Sequence, residues 1–137
     1  MKAELKEQVE ARLDELLVLI WETLPDFPRP TIGYDHFNLF SYAAAAANAV
    51  DWDIQISPEM LEAYPEEMLA EGLPHELGHL VSNYKNKNKF EFELENILLN
   101  GHGPLWEEVM HDIFGIENPH DSFNSVVKEN GHAPINP

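Results

Sequence analysis

The stretch Leu73-Pro74-His75-Glu76-Leu77-Gly78-His79-Leu80 decides how the chain is read. On a helix, His75 and His79 fall four residues apart on one face, with side-chain roots about 5–6 Å from each other. That gap suits one metal ion. Zinc takes imidazole nitrogen at about 2.0–2.1 Å, and catalytic zinc sites commonly use three protein ligands and leave a fourth position for water. Glu76, beside the first ligand, is placed to take a proton from that water as it attacks a peptide carbonyl. The flanks speak against a surface helix with two incidental histidines. Leu73, Leu77, Leu80 and Val81 are apolar nearly all round it, a helix of that kind is buried, and buried imidazoles need partners. The stretch therefore reads as two metal ligands and a general base.

A second motif follows at Asn100-Gly101-His102-Gly103-Pro104-Leu105-Trp106. Taken together, Pro74-His75-Glu76-Leu77-Gly78-His79, then Gly101-His102-Gly103-Pro104, Trp106 and Met110 resemble the SprT/Spartan family of zinc metalloproteases. The resemblance implies that His102 is the third zinc ligand, that Trp106 takes the family's aromatic place, and that Met110 takes the apolar place one helical turn on. It extends more loosely from about Pro30 to Phe123, the family's protease core. It also implies the fold class: α+β, a small single-domain zincin-like metalloprotease core with helices packed on a short β-sheet or hairpin. The expected domain covers residues 1–128, with an N-terminal helix over 1–24. The interval between His79 and His102 is longer than the family leads one to expect, which marks 85–99 as an insertion. Residues 129–137 read as a flexible tail. There is no cysteine, so the zinc ribbon that often follows the core is absent.

A chain of 137 residues, 44% of them hydrophobic, fits one compact domain with one core. The lack of cysteine excludes disulfides and thiolate metal sites, and no apolar run reaches the roughly 18 residues needed to span a bilayer. Met1 to Glu10 is polar and carries no apolar signal core, so a cytoplasmic location is expected. The formal net charge is −17. DNA binding draws on Lys and Arg neutralising phosphates, so this charge disfavours it. Lys85, Lys87 and Lys89 are the visible basic cluster, and Glu91, Glu93 and Glu95 follow at once. Acidity serves solubility, or favours basic or unfolded protein substrates.

In chain order, Leu5, Val9, Leu13, Leu16, Leu17, Ile20, Trp21 and Leu24 have the spacing of an amphipathic helix, which Pro25 ends. Thr31 to Tyr34 is short and β-prone. Ala43 to Ala47 favours helix by propensity, whereas the family comparison implies a small-residue strand paired with Asp53-Ile54-Gln55-Ile56 through a turn near Asn48 to Asp51. We favour the hairpin. Its edge would let an extended substrate add as a strand, since backbone hydrogen bonds give affinity without demanding sequence. Ser57-Pro58 is a helix start, and Pro65 begins the next. Pro74 should break or bend the helix ahead of the ligands, as one kinked helix or two, and Gly78 permits close approach across it. Phe90 to Leu99 is too apolar for free coil and reads as an ordered decoration. Gly103-Pro104 starts a last helix and Gly115 stops it.

Other candidates remain open. Glu107 or Glu108 rivals His102 as an oxygen ligand. His120 resembles a family histidine that orients substrate or stabilises the oxyanion, and otherwise is a surface turn residue. His111 reads as surface, and His36 and His132 carry no role. The function expected is a zinc metalloendopeptidase acting on protein, with the family implying DNA-crosslinked proteins. Its rivals are a DNA-independent specialised peptidase and a non-catalytic zinc-stabilised module that binds a basic partner. Oligomeric state is not written in these residues.

Overall fold

The structure, a computed structural model, describes residues 2–34 and 45–120. The expected first part of the alanine strand, the tail over 129–137, His36 and His132 lie outside the described residues. Helix α1 (Ala3–Trp21) buries Val9, Leu13, Leu16, Leu17 and Ile20. It ends at Trp21 rather than Leu24, with Glu22 as its C-cap and a last turn closed by the Leu24 amide donating to the Ile20 carbonyl at 2.8 Å. Trp21 turns its indole out of the helix and donates to the Phe27 carbonyl at 2.9 Å.

The strands β1 (Thr31–Gly33), β2 (Ala45–Asn48) and β3 (Asp53–Ile56) form one α+β sheet in the order β1-β3-β2. β1 runs parallel to β3, and β2 runs antiparallel to it with Ala47 opposite Ile54. The described part of the alanine run, Ala45 to Ala47, is thus strand, against its helix propensity: tertiary pairing overrides a preference worth tenths of a kcal/mol per residue. Asn48 closes the turn by accepting from the Val50 and Asp51 amides at 2.8 and 3.1 Å. Ile54 and Ile56 point into the core.

Helix α2 (Pro58–Ala63) starts as expected, with the Ser57 hydroxyl accepting from the Met60 amide. A continuous helical path then runs through α3 (Pro65–Glu67), a π-helical segment (Met68–Gly72) and α4 (Leu73–Asn86). Pro74 neither breaks nor splits it. The ring of a helical proline clashes with the carbonyl four residues back and offers no amide proton. Here the widened turn absorbs that conflict, with the Leu73 amide bonding to the Met68 carbonyl five residues back.

Helices α5 (Phe90–Leu98) and α6 (Pro104–Asp112) complete the described chain. The core joins α1, the sheet and α4 through Leu13, Leu17, Ile54, Ile56, Leu73 and Leu77, all essentially inaccessible. No described helix is long and apolar enough to cross a membrane.

α4 and α6 meet at Gly78, where a Cβ would lie 2.6 Å from the Met110 sulfur and 2.9 Å from Trp106 Nε1. Replacing a helical glycine by alanine ordinarily gains about 1 kcal/mol, but overpacking a fixed indole costs about 1–3 kcal/mol. Gly78→Ala is therefore expected to lower stability by up to about 2 kcal/mol, read as a reduced urea midpoint with unchanged slope.

Candidate metal centre

Helix α4 carries His75 and His79 one turn apart, and their ring centroids stand 5.1 Å from each other. His102 reaches the same point from the turn ahead of α6. Its Nε2 lies 3.1 Å from His79 Nε2 and 3.2 Å from His75 Nε2. Three imidazole nitrogens each about 2.0–2.1 Å from one tetrahedral ion would stand about 3.3 Å apart. The triad therefore fits one metal ion, and imidazole suits zinc, copper, iron or nickel. Among the described residues, this is the one group of histidines and carboxylates close enough to share an ion.

Trp106 lies beneath all three rings. Its indole stacks on His79 at 5.7 Å and 19°, and meets His75 and His102 edge-on at 4.9 Å each. The indole N–H donates to the His75 carbonyl at 3.3 Å. The resemblance named this residue; the structure gives its task, which is to hold the imidazoles in place from a fully buried position.

Burial and charge keep His79 and His102 neutral, the form that binds metal. Burial, with a smaller contribution from His102, lowers the His79 pKa to about 3. Burial, and then the charge of His120, lowers that of His102.

Glu76 is the site's most costly group. It is wholly inaccessible, and neither carboxylate oxygen has a hydrogen-bond partner of ordinary geometry among the described residues. Burial pushes its pKa well above the usual carboxylate range, and the Ala47 backbone amide offsets only part of this. His75 Nε2 is 4.0 Å from Glu76 Oε2. A buried polar group left unpaired costs about 1–3 kcal/mol, and Glu76 bears that cost beside three histidines close enough to share an ion.

The remaining candidates are sorted by position. Neither Glu107 nor Glu108 joins the triad: Glu107 Oε1 is 3.1 Å from His120 Nε2, and Glu108 faces Lys85 at 4.0 Å. His120 is brought to the rim, its ring 5.2 Å from Trp106 and 6.5 Å from His102. His111 lies away on the surface, next to Asp112.

The sequence reading missed Glu95. This buried residue of α5 accepts from the Leu105 amide at 2.7 Å and the Trp106 amide at 3.4 Å, so it caps α6 from another helix. Its backbone carbonyl accepts from the Gly101 amide at 3.0 Å. The His102 turn is thereby tied at both ends to the segment read as a decoration. The turn needs left-handed backbone at Asn100 (φ 52°) and Gly101 (φ 77°), conformations that Gly and Asn tolerate best. One signal was available: α6 opens on Gly103, which has no side chain to satisfy its first amides, so a group from elsewhere had to do so.

With this geometry in place, comparison with known proteins is specific. The SprT-like family matches residues 13–128. The chain belongs to the SprT-like family. It is similar to Protein SprT of Photorhabdus laumondii, 29% identical over 92 residues, which is 66% of this chain and 40% of that protein. It is also similar to Protein SprT of Proteus mirabilis, 34% identical over 56 residues, 41% of this chain and 32% of that one. The chain thus spans less than half the length of these curated SprT relatives. No solved structure matches it.

Two outcomes follow. Glu95→Ala removes charge-assisted bonds to two helix-start amides and is expected to cost about 2 kcal/mol in urea unfolding. The metal-free protein should show opposed pH arms. As pH falls below 6.5 towards 3, the unfolded histidines take up protons that folded His79 refuses, so stability drops on the acid side. Folded Glu76 keeps its proton above 4.5, where the unfolded carboxyl has lost it, so its share of stability falls as pH rises. Glu76→Gln should therefore stabilise the metal-free protein at pH 8, with the gain shrinking towards pH 4.5; an equal gain at both would contradict the assignment.

Proposed function

We propose that this SprT-like protein is a zinc-dependent metallopeptidase that hydrolyses peptide bonds in protein substrates. The observation that carries the reading is the buried carboxyl of Glu76, whose oxygens have no hydrogen-bond partner of ordinary geometry among the described residues, beside three converged imidazoles. A site built only to stabilise the fold has no use for that group, and an apolar side chain there would be less costly. His75, His79 and His102 would hold a zinc ion, which when bound would supply Lewis acidity for the scissile carbonyl and for a water. Glu76 takes the proton from the attacking water as the carbon–oxygen bond forms, and returns it to the amine as the carbon–nitrogen bond breaks.

Two further features support an extended protein substrate. Among the described residues β2 lies at the sheet edge, where the half-buried Ala46 and Ala47 leave room for a chain laid alongside. His120, held by Glu107, stands at the rim where it can donate to the oxyanion. The net charge of −17 favours basic or unfolded protein over DNA-bound substrate, because phosphate contacts need cations that are scarce here.

The test is cleavage of an unfolded basic protein by the zinc-loaded protein, with and without single-stranded DNA. Cleavage indifferent to DNA is expected, and stimulation by DNA would restore a DNA-linked substrate. Glu76→Gln should keep its zinc and lose roughly 10²–10⁴-fold in rate; full activity in that variant would remove Glu76 from the mechanism. His102→Ala should release most of the metal, and unchanged zinc content would return the third place to Glu107 or Glu108.

A further inference from the structure

Helix α5 packs against α4 and α6, with Phe92 and Glu95 buried on its inner side. Its outer side is apolar. Of the nine large apolar side chains exposed among the described residues, five fall between Phe90 and Leu99. Phe90, Ile97 and Leu98 are 70%, 75% and 71% exposed, and Leu94 is 38% exposed. At about 100° per residue these four share one stripe about 100° wide, turned away from Phe92 and Glu95. Single exposed apolar residues are ordinary, but a contiguous patch of them rimmed by polar groups marks an interaction surface.

The rim narrows the occupant. On the helix, Glu91 falls about 20° beyond Leu98 and Glu93 about 40° beyond Ile97, so each flank of the stripe carries a carboxylate. Both are exposed. Lys87 and Lys89, also exposed, lie ahead of the stripe rather than along it. A second copy laid on this stripe, in either direction, would bring carboxylate against carboxylate on both sides. A membrane-surface helix needs Lys or Arg beside its apolar face to meet anionic lipid, and here Glu stands there instead. An amphipathic helix whose apolar stripe is bordered by Lys or Arg satisfies both parts: its apolar residues pack on Phe90, Leu94, Ile97 and Leu98, and its cations meet Glu91 and Glu93. The net charge of −17 also draws such a partner in from a distance.

We propose that the outer face of α5 docks a basic amphipathic helix of another protein. Nine residues at about 1.5 Å each offer only two to three turns of contact, the scale of a transient interface. Docking there needs no peptidase activity and is read by binding alone. It gives the segment 85–99 a task on its outer side, while on the inner side Glu95 holds the start of α6 and the turn that carries His102.

The test is fluorescence anisotropy of a labelled synthetic helix of about 20 residues, a leucine stripe bordered by lysines, titrated with the zinc-loaded protein at about 0.15 M salt, where distant charges are screened. This helix is expected to bind at least roughly tenfold tighter than a scramble of the same composition, and than a version bordered by glutamates. Ile97→Ser combined with Leu98→Ser should abolish that margin while zinc content and circular dichroism stay unchanged. Glu91→Lys combined with Glu93→Lys should transfer the preference to the glutamate-bordered helix. No binding, binding no better than the scramble, or a preference unchanged in either double variant overturns the proposal. So does any other occupant of the face: a dimer of the protein alone that Ile97→Ser dissolves in the ultracentrifuge, binding to phosphatidylserine vesicles that the same substitution abolishes, or NMR contacts from the Ile97 and Leu98 methyls to another segment of the same chain.

Discussion

The indole of Trp106 is the fixed point on which the site depends. It is fully buried, touches the rings of all three histidines, and is tied to the backbone of His75 by its one polar atom. An imidazole on an open helix face samples several rotamers, and a ligand set must restrict each ring before it can converge on one point. Here a single rigid side chain restricts all three. The same indole fills the space over Gly78, so the packing that joins α4 to α6 also aims the ligands. Stability and site geometry are therefore one problem in this protein.

Around that point the electrostatics are poised without being satisfied. Burial holds His79 and His102 neutral and drives Glu76 towards its protonated form. Each shift comes mainly from desolvation, which penalises whichever form carries charge. A cation placed among the three nitrogens would reverse the balance for the carboxylate without asking the imidazoles to change, since they already stand in the form that binds. Glu95 shows the contrasting solution, in which a buried carboxylate is satisfied by backbone amides and serves the frame.

The sequence made some of this legible and hid the rest for physical reasons. His75, Glu76 and His79 could be read because helix periodicity is local: four positions along the chain mean one face. The start of α2 was legible in the same way, from Ser57 and Pro58. The convergence of His102 and the seat of Trp106 needed the family resemblance, because no spacing rule joins a turn to a helix some twenty residues away. Glu95 escaped altogether. Its bonds run to amides on another element, and a glutamate within a charged run gives no sign that it is buried. The alanine strand shows the limit of propensity, since the pairing of Ala47 with Ile54 outweighed a preference that acts on isolated helices.

The π-helical segment ahead of Pro74 has a consequence for how the chain can vary. An α-helix advances about 100° per residue, so each residue added or removed turns everything beyond it by that angle. Met68 and Leu73 are both buried although five positions separate them, a spacing that the widened turn brings into phase. Losing any one residue between them would relax the turn to ordinary α geometry and swing either the anchoring side chain or the histidine pair off its axis. This joint behaves as a keyed coupling, in which residue count sets the rotational alignment of the helix that bears His75 and His79.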